Sequence, residues 1–278
     1  MSTVEEITTG PYSLGRTAQE YERLRAQARF WEAATGRVLD AVAPAPGARC
    51  LDAGCGPGET MRLLAQRVGP SGRVIGLDVD GQLASATRAA LHADGHRQCD
   101  VVVADLTQDA PVPQGPYDVV LARLLLFHLP SRVEVLARLW DAVAPGGHLV
   151  VQDYDLTTAD VLAPAPGVRD AVRVMTLAFQ AAGCDVRTGP GLPVLFAEAG
   201  VGTPDGTDVA GRLVPLRAGQ EMIAAVVRSL LPAAIEHGVT TPDDAGAMFA
   251  ALADDAERFG DRPMLWPLLV SAWKRKQP

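Results

Sequence analysis

Cys50-Leu51-Asp52-Ala53-Gly54-Cys55-Gly56-Pro57-Gly58-Glu59 decides how this chain is read. Three glycines at G-x-G-x-G spacing follow a short apolar run, and the amphipathic segment Thr60 to Val68 follows them. Glycines there permit a tight strand-to-helix turn and close approach of backbone to a ligand. Further on, Asp78 closes a second apolar run, Val74-Ile75-Gly76-Leu77. An acid at the end of the next strand can take both hydroxyls of a ribose. The pair of features describes a nucleotide-type cofactor site.

A dinucleotide fingerprint reads G-x-G-x-x-G and rests a pyrophosphate on the helix N-terminus. Here the spacing is shorter and Glu59 follows at once. A carboxylate at a helix start suits a cationic ligand better than a diphosphate. Leu51-Asp52-Ala53-Gly54-Cys55-Gly56-Pro57-Gly58 resembles motif I of the class I S-adenosylmethionine-dependent methyltransferases. The resemblance continues in order: Arg73 to Asp78 is similar to motif II, Cys99 to Leu106 to the third strand, and Tyr117 to Arg123 to motif IV. Val143 to Val151, with Pro145-Gly146-Gly147, is similar to the turn before strand five. Five blocks in the right order, over about residues 48–153, are far more specific than one glycine loop.

The resemblance implies S-adenosyl-L-methionine as cofactor, with S-adenosyl-L-homocysteine as product. It places Gly54 and Gly56 against the methionine part and Asp78, with Val79, at the ribose. It also places Asp105, flanked by Ala104 and Leu106, beside the adenine. Asp52 either faces the methionine ammonium or caps the loop. Arg123 either reaches the methionine carboxylate or makes a surface ion pair. Tyr12, ahead of the first helix, covers the cofactor or staples that helix.

Strands and helices alternate through the middle of the chain: strand 48–53, helix 58–68, strand 73–78, helix 80–94 and strand 99–104. Strand 117–122, helix 131–143 and strand 147–153 follow. Such alternation implies βαβ units around a parallel sheet, with ligands at the carboxyl ends of the strands. Residues 17–42 read as one helix with Thr17 and Glu20 as a capping box. The second half reads as helices 168–182 and 192–199, a strand 207–216, helices 218–237 and 241–259, and a last strand 265–273. The expected fold is α/β: a Rossmann-like, seven-stranded, mostly parallel sheet with an antiparallel last strand, plus a helical cap. Residues 1–43 would form an N-terminal helical cap segment. Residues 44–278 would form the methyltransferase domain, with a helical lid insertion at about 217–260.

Two residues are candidates for chemistry. His128, just past strand four, can take a proton from an acceptor hydroxyl or serve in packing. Asp153, closing strand five, can orient an acceptor or act as a base. Asp153 and Asp155 invite a metal reading, but metal-dependent relatives need further ligands and a lysine. The only lysines are Lys274 and Lys276, in the tail, so no metal is expected.

A net charge of −8 argues against a nucleic-acid partner. Met1 to Gly10 shows no basic, apolar leader, and no uncharged apolar run of membrane-spanning length is evident, so no membrane partner is expected. The four cysteines lack metal or redox spacing, which fits a reducing cytoplasm. A homodimer through the cap helices is compatible with the sequence. Abundant Ala, Gly and Pro, with arginine supplying nearly all the fixed positive charge, points to a GC-rich bacterial genome; together with the resemblance this implies a small-molecule methyltransferase acting on a bacterial secondary metabolite. Two rival readings remain: the same fold holding the cofactor for cyclisation, pericyclic or hydroxylation chemistry, and a non-enzymatic cofactor-binding partner.

Overall fold

The computed structural model describes residues 18–278. Tyr12 and Thr17 lie outside them. In chain order the elements are α1 (Ala18–Phe30), α2 (Glu32–Val42), β1 (Arg49–Ala53), α3 (Glu59–Val68), β2 (Arg73–Asp78), α4 (Gly81–Ala93) and β3 (Cys99–Val103). Then come β4 (Tyr117–Arg123), α5 (Arg132–Asp141), β5 (Val143–Asp155), β6 (Asp160–Val161), α6 (Pro166–Ala181) and α7 (Thr188–Glu198). The chain closes with β7 (Gly206–Pro215), α8 (Leu216–Glu236), α9 (Pro242–Phe259) and β8 (Pro263–Arg275).

Pairing runs β3-β2-β1-β4-β5-β8, with β7 and the two-residue β6 both on β8. β1 to β5 are parallel, and β8 is antiparallel to β5, β6 and β7. The sheet therefore has eight strands rather than seven; β6 is too short to carry a periodic signal. The parallel strands are buried on both faces and read as continuous apolar runs, such as Val74 to Leu77. One face packs Leu39, Met61, Leu64 and Leu91 from α2, α3 and α4. The other packs Leu136 and Leu139 of α5 with Leu192 and Phe196 of α7.

A third apolar cluster lies over the carboxyl ends of the strands. It joins Trp31 and Ala34 to Val174 and Met175 of α6, Val227 and Leu230 of α8, and Leu252 of α9. α8 is long and apolar enough to cross a membrane by length and composition. Its buried stripe, Ile223, Val226, Val227 and Leu230, is spent inside this cluster.

Among the boundaries that differ from the sequence reading, two have a clear physical cause. The expected helix 17–42 breaks at Trp31, which sits outside helical geometry at φ −101°, ψ 5°. The break turns its indole inward, 1% exposed. α7 begins at Thr188 rather than 192, because Gly189-Pro190-Gly191 reads as a breaker. A Cβ on Gly189 would lie 2.6 Å from the Asp153 carbonyl oxygen, so close packing on β5 explains that glycine.

Candidate functional site

One large cavity opens at the carboxyl ends of β1, β2 and β4, beneath α1. Two walls of different chemistry meet in it.

The first wall is built from the glycine loop and two strand ends. Gly54 and Gly56 hold φ of +70° and +50°, a region L side chains rarely adopt. A Cβ on Gly54 would stand 2.9 Å from Leu125 Cδ1, whereas one on Gly56 would meet nothing within 4 Å. Gly56 therefore presents bare backbone to the cavity. Its amide donates to Asp78 Oδ2 at 2.9 Å, and Asp78 Oδ1 accepts from the Asp80 amide at 2.9 Å. Asp78 thus ties the glycine loop to the turn after β2. Asp80 caps α4 through the amides of Gln82 and Leu83, both at 3.0 Å. Its second oxygen accepts from Tyr21 Oη at 2.6 Å, which fastens α1 over this wall.

Asp105 accepts from the Thr107 amide and hydroxyl at 2.8 and 2.6 Å and from Gln108 Nε2 at 3.1 Å. These bonds, Thr107 foremost, hold its carboxyl below the usual carboxylate range. Val79, Ala104, Asp105 and Leu106 all line the cavity.

Asp52 lies at the floor, 2% exposed. Its Oδ2 has no hydrogen-bond partner. Burial pushes its carboxyl up to about 7, against the pull of Arg123. Arg123 also lines the cavity and donates from Nη1 to Thr35 Oγ1 at 3.1 Å. It belongs to the interior rather than to a surface ion pair.

The second wall is apolar and aromatic. After Arg123 the backbone takes a left-handed turn at Leu124, φ +54°, a strained conformation for a leucine. That turn swings the chain into a 3-10 turn, Leu126–His128, and lays Leu125, Phe127 and His128 along the cavity. His128 is 7% exposed, its ring 3.7 Å from that of Phe127 and its Nδ1 3.8 Å from Cys184 Sγ. Burial drives its pKa down to about 3, so the imidazole is neutral.

Asp153 is not in the cavity. It is fully buried beneath the 3-10 turn and accepts from the amides of Phe127 at 3.1 Å and Tyr154 at 3.2 Å. Burial raises its carboxyl to about 7. Strand alternation sends the next residue, Tyr154, to the opposite face and into the cavity wall. Asp155 turns away to hold the Thr157 amide at 3.1 Å, and among the described residues no group of three His, Cys, Asp or Glu could hold a metal.

The sequence reading made residues 1–43 a helical cap but named no residue of α1 in the site. Glu20, Tyr21, Arg23, Leu24 and Gln27 all face the cavity, at the three-to-four spacing of one helix face. That spacing was the available signal.

Residues 50–147 match the methyltransferase domain family model. Over 120 residues the chain is 35% identical to nocamycin O-methyltransferase of Saccharothrix syringae, covering 43% of this chain and 42% of that one. Over 133 residues it is 34% identical to trans-aconitate 2-methyltransferase of Rhizobium rhizogenes, covering 47% and 49%. The matches thus span about half the length of these curated relatives, or less. Among solved structures, a candidate methyltransferase from Bacillus halodurans superposes with a TM-score of 0.60 at 15% identity, over 88% of this chain and 99% of that one. A Haemonchus contortus phosphoethanolamine N-methyltransferase 2, in complex with S-adenosylhomocysteine, gives 0.51 at 15% identity, over 88% and 53%. These two likenesses concern the fold alone.

Proposed function

We propose that this chain is a class I S-adenosylmethionine-dependent methyltransferase and that it transfers a methyl group to a small, largely apolar acceptor. The observation that carries this reading is the joining of the two walls in one cavity. The residues present fit the cofactor. Gly56 leaves open space where a side chain would stand, and the unpartnered Asp52 Oδ2 calls for a cationic or N–H donor.

Bound S-adenosylmethionine supplies an electrophilic methyl on a sulfonium. In this reading Asp78 takes the ribose hydroxyls and Asp105 the adenine amino group. Asp52 takes the methionine ammonium and Arg123 its carboxylate. Leu106, Val79 and Ala104 pack the rings. Alignment carries most of the rate, since holding reactants in line can supply several kcal/mol (~7–11). Neutral His128 offers a ring nitrogen to the acceptor hydroxyl. α1 closes the cavity against water.

Of the two cations lining this cavity among the described residues, Arg23 is held by both Glu20 oxygens at 2.8 and 2.6 Å, and Arg123 in this reading is taken by the cofactor's own carboxylate. A polycarboxylate such as trans-aconitate would lack counter-ions here. An apolar secondary metabolite bearing a hydroxyl suits the aromatic wall better. The test is S-adenosylhomocysteine release coupled to acceptor methylation across a panel of hydroxyaromatic compounds. Acceptor conversion without that release would replace methyl transfer with another reaction on the same fold.

A further inference from the structure

Tyr154, on the acceptor wall, has unevenly spent hydrogen bonds. Three N–H groups, from α1, the break after it and β8, converge on its oxygen: Gln27 Nε2 at 3.0 Å, Trp31 Nε1 at 2.6 Å and Trp266 Nε1 at 3.5 Å. The Gln27 amide has its orientation set from behind, because Arg23 Nη1 donates to its Oε1 at 3.0 Å. A phenol oxygen has two lone pairs; the bonds from Trp31 and Gln27 fill them, and Trp266, at 3.5 Å, stands at the limit of hydrogen-bond distance. The phenol's own proton has no acceptor among the described residues. The ring is 4% exposed and lines the cavity with Phe127, Leu156 and Trp266. Burial holds its pKa above the ordinary tyrosine value, so the proton stays on at neutral pH.

We propose that Tyr154 selects the acceptor: its hydroxyl donates to a carbonyl-type oxygen projecting from an apolar, planar skeleton, and rejects a skeleton without one. The inference rests on reading this cavity as a methyltransferase acceptor site. The physical reason for selection is asymmetric. A partner oxygen satisfies the last unpaired group on the wall. A ligand that buries the phenol proton against carbon leaves it unpaired, at a cost of about 1–3 kcal/mol. A ligand N–H or O–H aimed at the same oxygen would meet a filled one.

The test uses two bicyclic probes of similar outline, 7-hydroxycoumarin and 2-naphthol; only the first carries a carbonyl. Each is titrated into the protein saturated with S-adenosylhomocysteine. The expected result is at least about fivefold tighter binding of 7-hydroxycoumarin, as one hydrogen bond of about 1 kcal/mol provides. Tyr154→Phe removes that preference and leaves S-adenosylhomocysteine affinity within about twofold. Equal binding of the two probes, or a preference that survives Tyr154→Phe, overturns the proposal. Should Tyr154→Phe fail to fold, Gln27→Met frees one lone pair on the tyrosine oxygen and must narrow the preference; an unchanged ratio overturns the proposal. Failure of both probes to bind, with S-adenosylhomocysteine still bound, also overturns it and leaves the methyltransferase reading standing. Failure of S-adenosylhomocysteine itself to bind the native protein would instead overturn that reading.

Discussion

The cofactor wall and the acceptor wall are assembled in opposite ways. Most of the first comes from turns at consecutive strand ends between Asp52 and Leu106, where each residue's role follows from its place in a local turn. The second draws Gln27 from α1, Phe127 from a 3-10 turn, Tyr154 from β5, Phe179 from α6, Val226 from α8 and Trp266 from β8. Polar groups on the first wall are held by backbone amides, as Asp78 and Asp105 are. On the second they are held by one another, as the run Glu20–Arg23–Gln27–Tyr154 shows. A wall pinned by backbone tolerates little change in its turns. A wall pinned by side chains can be rebuilt without disturbing the sheet.

Gly54→Val should break the first wall most severely. The left-handed φ and the 2.9 Å approach to Leu125 together cost about 3 kcal/mol or more. Calorimetry should show S-adenosylhomocysteine affinity lowered at least about hundredfold, and near-native affinity would remove the glycine loop from the site.

Asp52 gives a pH signature. Its carboxyl is raised to about 7, so the ligand-free protein holds a proton there below that pH. Relative to an unfolded carboxylate, this group contributes less stability as pH rises from about 4 to 7, and its contribution is level above. A ligand ammonium displaces the proton, so affinity for S-adenosylhomocysteine should rise about tenfold from pH 6 to pH 8. Asp52→Asn should flatten that rise. An equally steep rise in Asp52→Asn would assign the titration elsewhere.

On the acceptor wall, His128 should stay neutral to pH 5 in an NMR titration of its ring nitrogens, given a pKa near 3. A midpoint near 6.5 would contradict its burial. His128→Gln should cut turnover about tenfold without loss of cofactor affinity if the ring nitrogen receives the acceptor proton.

Asp153→Ala removes the acceptor for two backbone amides, at about 1–3 kcal/mol. The melting temperature should fall by several degrees while S-adenosylhomocysteine affinity stays within about twofold. A selective loss of binding would return Asp153 to the site. The smallest effect expected is that of Tyr21→Phe. Loss of one hydrogen bond to Asp80 should loosen α1 and weaken the cofactor about threefold; an unchanged affinity would detach α1 from the first wall.

The same contrast explains what could be read from the chain alone. Glycine spacing, strand-ending acids and apolar runs report local backbone needs, so β1 to β5 and the wall from Asp52 to Leu106 were legible. Asp153 was a candidate because of its carboxylate, but strand alternation turns it under the 3-10 turn and brings its neighbour Tyr154 to the cavity. The cap role of α1 was legible but its contact with the acceptor wall was not, because Gln27 meets Tyr154 across 127 positions in sequence, and no local pattern records such a meeting. Trp31 broke an otherwise continuous helical pattern for the same reason, since its indole is drawn to the Tyr154 oxygen.

The most direct test of the account is a calorimetric titration of the protein with S-adenosylmethionine, S-adenosylhomocysteine and NADH, repeated on Asp78→Ala. The account predicts binding of the first two, none of NADH, and a loss of at least about tenfold in the variant, which forfeits both the loop tie and the ribose contact. Binding of NADH alone, or undiminished affinity in Asp78→Ala, would contradict it.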